Sequence, residues 1–547
     1  MRSSRIAALL TAGALTLSLL SCTDNDPPRQ SRVRDTSREY AIGQSGGSEQ
    51  EIIPEISDYC PDLDTVEEAV SKLIDDIDKG NTSALDSDIN NLLELYDEIY
   101  EARSVKELEF YAHYSNEEME NEFNEVYRIL YVAGDMMRAA FVRGYYSDHR
   151  SYFEKYVTDE DIEFYKDITD TDDLDIIRTE SESSFDDMTE NLGEYYKIIA
   201  DDDLDEDEKD IKCAKILIDI LQDYDTGLLY SQYDRDYTGE EILALGDSVR
   251  DELIPVMDRL IDVYVDNTDL SDLYAEYGFE DAPFEVIREY APQLSEDLAK
   301  SADLICDEHL YRLCYNDDEA FEGAFTDELP LEDKAMIFIG SMDSDEVLNT
   351  AIHEFGHFHA TFYDNTPTFL SQNNLDIAEV QSQGLELIFT RFYDEIYGSS
   401  SDSQKIMQII DLLDSVISGY LVGEFEYKIT ERIDDITPEE LVELFNDNMD
   451  YYDGAARLYM ISHLFESPGY YISYSTSALA AFDLFDDAFN APDKALERYE
   501  KFSRISCNSG EYSFRQALSE CGFRDVLSRD YISQLADEIS RFADKYK

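Results

Sequence analysis

His353-Glu354-Phe355-Gly356-His357 is the stretch from which this chain is best read. Residues four apart stack on one face of a helix, so both imidazoles can reach one metal ion while Glu354 projects beside them. Neutral imidazole suits zinc, a catalytic zinc takes three protein ligands and a water, and an adjacent carboxylate can take that water's proton. The pattern therefore requires a third ligand from elsewhere. Four of the seven histidines (His353, His357, His359 and His463) fall between 353 and 463, which sets that region apart.

Just upstream, Ala335-Met336-Ile337-Phe338-Ile339-Gly340 is a short apolar run closed by glycine and is expected as a strand. Asp343 or Ser344 is placed to cap the helix carrying the pentapeptide, with Glu346 near its positive end. Residues 364–372, with Pro367 inside, read as the loop that ends it. A second helix is expected from after Asn373-Asn374 to Gly398. A third helical pair is expected over 455–465 and 470–489, broken at Ser467-Pro468-Gly469.

On the second helix Asp376, Glu379, Gln383 and Glu386 recur at helical spacing and line one face. Glu379 is the best third ligand, and Asp376 or Glu386 would accept the ring N–H of a ligand histidine and fix its tautomer. In a chain this acidic, the same spacing also fits a solvated acidic face.

The balance of 43 Lys+Arg against 125 Asp+Glu gives a net charge of −82. Such a surface repels nucleic acid and anionic headgroups and excludes both as partners. Disorder is the usual companion of high net charge, yet 40 Tyr and 27 Phe at helical spacing describe a folded body with an acidic skin. That skin fits a solvated surface in a saline or cation-rich habitat, or attraction of cationic peptides. The cluster from Asp201 to Glu208 has Glu208 where a calcium loop needs glycine, so it reads as a turn between helices.

Arg2 and Arg5 followed by an apolar run from Ile6 to Leu20 form an export signal, shorter than the roughly 20 residues a membrane span needs. It ends in Leu19-Leu20-Ser21-Cys22, which resembles a bacterial lipobox. The resemblance implies lipid attachment at Cys22 and anchoring to the outer face of a bacterial membrane, with no other membrane contact. Residues 22–50 read as a flexible tether, 51–240 as an N-terminal helical lobe and 241–547 as a catalytic lobe. Val66, Val70, Leu73, Ile74 and Ile77 show the apolar spacing of the first. Beyond Cys22, Cys306 with Cys314 and Cys507 with Cys521 are the local disulfide candidates.

The pentapeptide followed by Asp376-x-x-Glu379-x-x-Ser382-Gln383-x-x-Glu386 resembles the thimet oligopeptidase and oligoendopeptidase F family of zinc peptidases, whose third ligand is the Glu at position 379 here. His463-Leu-Phe-Glu-Ser-Pro-Gly-Tyr-Tyr-Ile-Ser-Tyr474 is similar to the family's later His-x-x-x-x-Pro-Phe-Tyr-Tyr-x-x-Tyr segment. The resemblance implies that Tyr471 and Tyr474 bond the oxyanion and that His463 contacts substrate or assists there. The chain departs from the pattern at Ala360, where the family often has a histidine that here falls at His359, and at Gly469, where an aromatic residue is common.

The fold implied is mainly α: a two-lobed helical zincin with a deep central channel and a small strand region beside the zinc helix. The implied activity is hydrolysis of short unstructured peptides by a monomer with one zinc ion on His353, His357 and Glu379 and Glu354 as general base. The strand at 335–340 is a candidate to pair with extended substrate. A broader protein-cutting zinc endopeptidase and a catalytically silent peptide- or metal-binding lipoprotein are the alternatives.

Overall fold

The computed structural model describes Ile56 and residues 59–547, apart from 167–171, 269–277 and positions 202, 223, 232, 280, 318 and 453. The export signal, Cys22 and the tether lie outside the described residues.

The fold is mainly helical with one small sheet, as expected. Three helices open it: α1 (Leu63–Asp78), α2 (Thr82–Tyr111) and α3 (Glu117–Tyr146). Asp62 caps α1 by accepting from the Thr65 N–H, and the five apolar residues singled out above are all buried along one stripe. They build a core with the inner faces of α2 and α3, into which Phe369 inserts from the C-terminal half of the chain.

A second, larger core runs from Tyr195 to Ala543. Helix α4 (Asp172–Ile199) serves both, with Leu174 and Ile177 in the first core and Tyr195, Ile198 and Ile199 in the second. Buried residues between 195 and 240 thus share one core with the helices that follow them. At the acidic cluster Asp205 caps the helix Glu206–Leu221 in a reciprocal box with Glu208, the turn expected there.

The sheet comprises β1 (Tyr311–Leu313), β2 (Ala324–Leu329) and β3 (Lys334–Ile339), in the order β1-β3-β2. β3 pairs parallel with β1 and antiparallel with β2, Thr326 opposite Ile337. The strand expected at 335–340 is therefore the central one, with both edges occupied, and cannot receive a substrate strand. Among the described residues β1 and β2 are the edge strands, and β2 is the one that lines the cleft.

The pentapeptide lies on α5 (Val347–Thr361) and Glu379 on α6 (Leu375–Phe389). α5 begins later than the expected cap: Glu346 occupies its N-cap position without a side-chain capping bond, and the Asp343 carbonyl accepts from the Glu346 N–H. α6 is capped by Asn374, whose Oδ1 accepts from the Ile377 N–H at 3.2 Å. The two helices cross at Gly356, where an added Cβ would stand 2.6 Å from the Ser382 Cα and 2.8 Å from the Gln381 carbonyl oxygen.

Beneath them runs α7 (Ser401–Thr430), long and apolar enough to cross a membrane but with 89% of its most apolar window buried, so it is a core helix. It packs against α8 (Ile472–Ala481). The helical pair expected over 455–489 is more broken than its periodicity suggests: only short turns at Leu458–Met460 and His463–Glu466 precede Gly469, whose φ is +80°. Neither expected disulfide forms. Cys306, Cys507 and Cys521 carry free thiols, with Cys507 on the cleft wall and Cys521 packed into the core.

Candidate metal centre and active site

The i, i+4 spacing on α5 brings His353 and His357 side by side, their rings 5.0 Å apart. Because α6 crosses at Gly356, Glu379 arrives opposite them. Its Oε2 lies 3.4 Å from the His353 Nε2 and 3.9 Å from the His357 Nε2. The candidate ligand atoms of the three residues all fall within 4.8 Å of one another. Two imidazole nitrogens and one carboxylate oxygen are a donor set that zinc accepts, so the residues present fit the ion.

The electrostatics agree. Burial would lower the His353 pKa, but Glu379 and Glu386, one on each ring nitrogen, hold it well above the ordinary value. Burial alone would raise Glu379, yet the two histidines draw it down to about 2. Burial pushes His357 down to about 4, leaving it neutral at pH 7. Carboxylates bracketing an imidazole mark a centre built for positive charge.

Glu386 accepts from the His353 Nδ1 at 2.6 Å and is itself held by the Gln408 Nε2 at 2.6 Å. This fixes the tautomer that turns the His353 Nε2 into the site. Asp376, the other residue considered for that role, is not in the site. It accepts from the Thr476 hydroxyl at 2.7 Å and faces the buried Arg235 at 3.7 Å. It lies on the part of α6 that packs on α8, where it neutralises a buried guanidinium.

Glu354 is buried beside the ligands, and burial pushes its carboxyl up to about 7 against the pull of His353 and Thr326. Thr326, on the edge strand β2, donates its hydroxyl to the Glu354 Oε2 at 2.7 Å. Sequence reasoning missed this residue, for nothing in its local pattern marks it; only the register of β2 brings it under α5.

The tyrosines are arranged differently from the expectation. Tyr470 and Tyr474 line the cleft, whereas Tyr471 is buried behind them with its ring against His463 and Tyr474. Tyr470 donates to the Glu379 Oε1 at 2.8 Å. After the turn at Gly469, Tyr470 faces the cleft and its neighbour Tyr471 lies in the core. His463 also stands behind this wall. Burial holds its pKa down to about 4, and its neutral Nε2 lies 3.4 Å from the Tyr474 hydroxyl. His359 points away from the centre, its Nδ1 at 2.9 Å from the Ser301 hydroxyl.

The cleft in front of these groups is walled by both halves of the molecule, with Tyr96, Tyr100 and Arg138 from the N-terminal half, β2, and Ile505, Cys507 and Asn508 among its lining.

Solved structures share this architecture. A protein assigned as an oligoendopeptidase F matches with a TM-score of 0.70 at 14% identity, covering 90% of this chain and 98% of that one. A similarly assigned protein from Bacillus anthracis gives 0.68 at 13% identity, over 89% of this chain and 97% of its own. Pz peptidase A with an inhibitor gives 0.67 at 14% identity, over 90% and 99%. No protein-family model and no curated protein matches the sequence. At these identities the likeness establishes the fold, and it is the fold that the motifs led us to expect.

Proposed function

We propose that this chain, which has the fold of the oligoendopeptidase F and Pz peptidase A structures, is a zinc endopeptidase of short unstructured peptides. The observation that carries the proposal is the convergence of His353, His357 and Glu379 on one point with Glu354 beside it and Tyr470 and Tyr474 across the cleft. His353, His357 and Glu379 would hold the ion. Zinc, when bound, supplies Lewis acidity toward the peptide carbonyl and the attacking water.

The chain's own groups do the rest. Glu354, aligned by Thr326, takes the water's proton and returns it to the departing amine. Tyr474, held in place by His463, and Tyr470, on turning its hydroxyl from Glu379, donate to the oxygen on which negative charge develops. The open edge of β2 offers main-chain hydrogen bonds to an extended peptide, and the walls from both lobes restrict entry to chains without folded structure. A monomer suffices, since every group named comes from one chain.

The test is incubation of the zinc-loaded protein with a mixed peptide library, read by mass spectrometry. Cleavage of short peptides but not of folded proteins is expected, with Glu354→Gln retaining zinc and losing at least about a hundredfold in turnover. Absence of cleavage would favour a binding protein, and efficient digestion of folded proteins a broader endopeptidase. Export and anchoring at Cys22 belong to the same proposal and rest on residues 1–22 alone. Recovery of the protein in the membrane fraction, lost in Cys22→Ala, is the expected outcome.

A further inference from the structure

Next to the metal centre a second hollow, of about 70 Å³, shares His353, Glu354 and Tyr474 with the cleft. It has room for several waters or one slim side chain. One wall is a single face of α7, where Gln408, Asp411, Leu412 and Ser415 recur at helical spacing, and Met342 and Glu346 stand among the residues facing it.

Asp411 is the anomaly. It is 7% exposed, and neither of its carboxylate oxygens has a hydrogen-bond partner. Other acids with one buried, orphaned oxygen are satisfied through the second: Asp376 by Thr476, Glu426 by the Gly469 N–H, Asp236 by Ser513. Among the described residues Asp411 alone has both oxygens orphaned. A buried carboxylate left without a donor is costly, and such groups are retained where a partner arrives from outside.

The surroundings call for a cation. Burial, then the charges of Glu386, Asp414, Glu346 and Asp345, push the Asp411 carboxyl well above its ordinary range. A positive group entering the hollow would supply both missing hydrogen bonds and relieve that repulsion. A resident metal ion fits poorly, because among the described residues only His353, His357 and Glu379 bring donor atoms close enough to share one. Met342 and Leu412 instead offer the apolar lining that the stem of a lysine or arginine seeks.

We propose that this hollow is the subsite for a lysine or arginine side chain flanking the scissile bond, with Asp411 as its counter-ion and Met342 and Leu412 packing its stem. The proposal rests on the peptidase reading. Asp411 selects substrate and touches no reacting atom.

Matched peptides carrying lysine, arginine, norleucine or citrulline at either position flanking a common bond test it with the zinc-loaded full chain. A preference in kcat/KM of about a hundredfold for the cationic residues over the neutral ones is expected at one of the two positions. In Asp411→Asn that ratio falls to within a few-fold. Agmatine binding by calorimetry gives a second reading without turnover, with affinity expected to fall at least about tenfold in the variant. Should the variant not fold, the wild-type ratio decides.

Cleavage of neutral and cationic peptides alike overturns the subsite and leaves the peptidase reading standing. If no peptide is cut, that reading fails, and agmatine binding decides the subsite by itself: loss in Asp411→Asn supports a cationic site, and absence of binding by the wild type overturns it. Displacement of agmatine by calcium also overturns it, in favour of a metal site.

Discussion

The Tyr470 hydroxyl donates to Glu379 at 2.8 Å, on the carboxylate oxygen opposite the one that faces the two histidines. This bond fixes the rotation of the third ligand while keeping the tyrosine poised over the cleft. Tyr470→Phe is expected to lower kcat/KM by about 10²-fold through loss of an oxyanion donor and to weaken zinc binding measurably. Tyr471→Phe, in the core behind it, should leave turnover within a few-fold. Steady-state kinetics with zinc content measured on the same samples distinguishes them, and the reverse ranking would return the catalytic role to Tyr471.

Glu386 and Asp376 separate in the same manner. Removing the charge that orients His353, in Glu386→Gln, should cost about 10- to 100-fold in zinc affinity with the fold intact. Asp376→Asn should instead leave zinc affinity unchanged and lower the melting temperature, because Arg235 loses the carboxylate it faces in a fully buried setting. Competition with a chromophoric chelator and thermal melts read the two effects independently.

These contrasts show what periodicity makes legible. At about 100° per residue, Glu386 sits seven residues from Glu379 and only about 20° from it around the helix, whereas Asp376 is about 60° away. Helical arithmetic alone therefore favours Glu386. The three ligands were readable because two share one helix and the third belongs to an acidic stripe in an otherwise apolar segment. Thr326 was not readable, since its reach to Glu354 depends on strand register. The choice between Tyr470 and Tyr471 was equally hidden, set by one left-handed glycine at 469.

Glu426, buried on α7 near Arg235, accepts from the Gly469 N–H at 2.7 Å, and burial pushes its carboxyl up to about 7. A folded-state pKa above the unfolded value of about 4.5 means that the native state binds the proton more tightly. Its contribution to stability is thus fully present below pH 4.5 and is lost as pH rises to about 7. Glu426→Gln, which needs no proton to be neutral, should match the wild type near pH 4.5 and exceed it by up to about 3 kcal/mol at pH 8. Denaturant melts at the two pH values test this, and a gap that widens toward acid would reverse the sign.

Gly356 sits where α5 and α6 touch backbone to backbone, inside the pentapeptide that holds both histidines. An added methyl would meet the Ser382 Cα at 2.6 Å and the Gln381 carbonyl at 2.8 Å, and neither is the end of a flexible side chain that can swing aside. The helices must separate, and Glu379, three residues before Ser382, moves away from His353 and His357 with them. Gly356→Ala is expected to destabilise the protein by about 1–3 kcal/mol, as overpacking does, and to weaken zinc binding together with activity. If the contact mattered only for packing, stability would fall while zinc affinity held. Measuring both in one variant therefore tests whether the distance between the two helices is what sets the metal site.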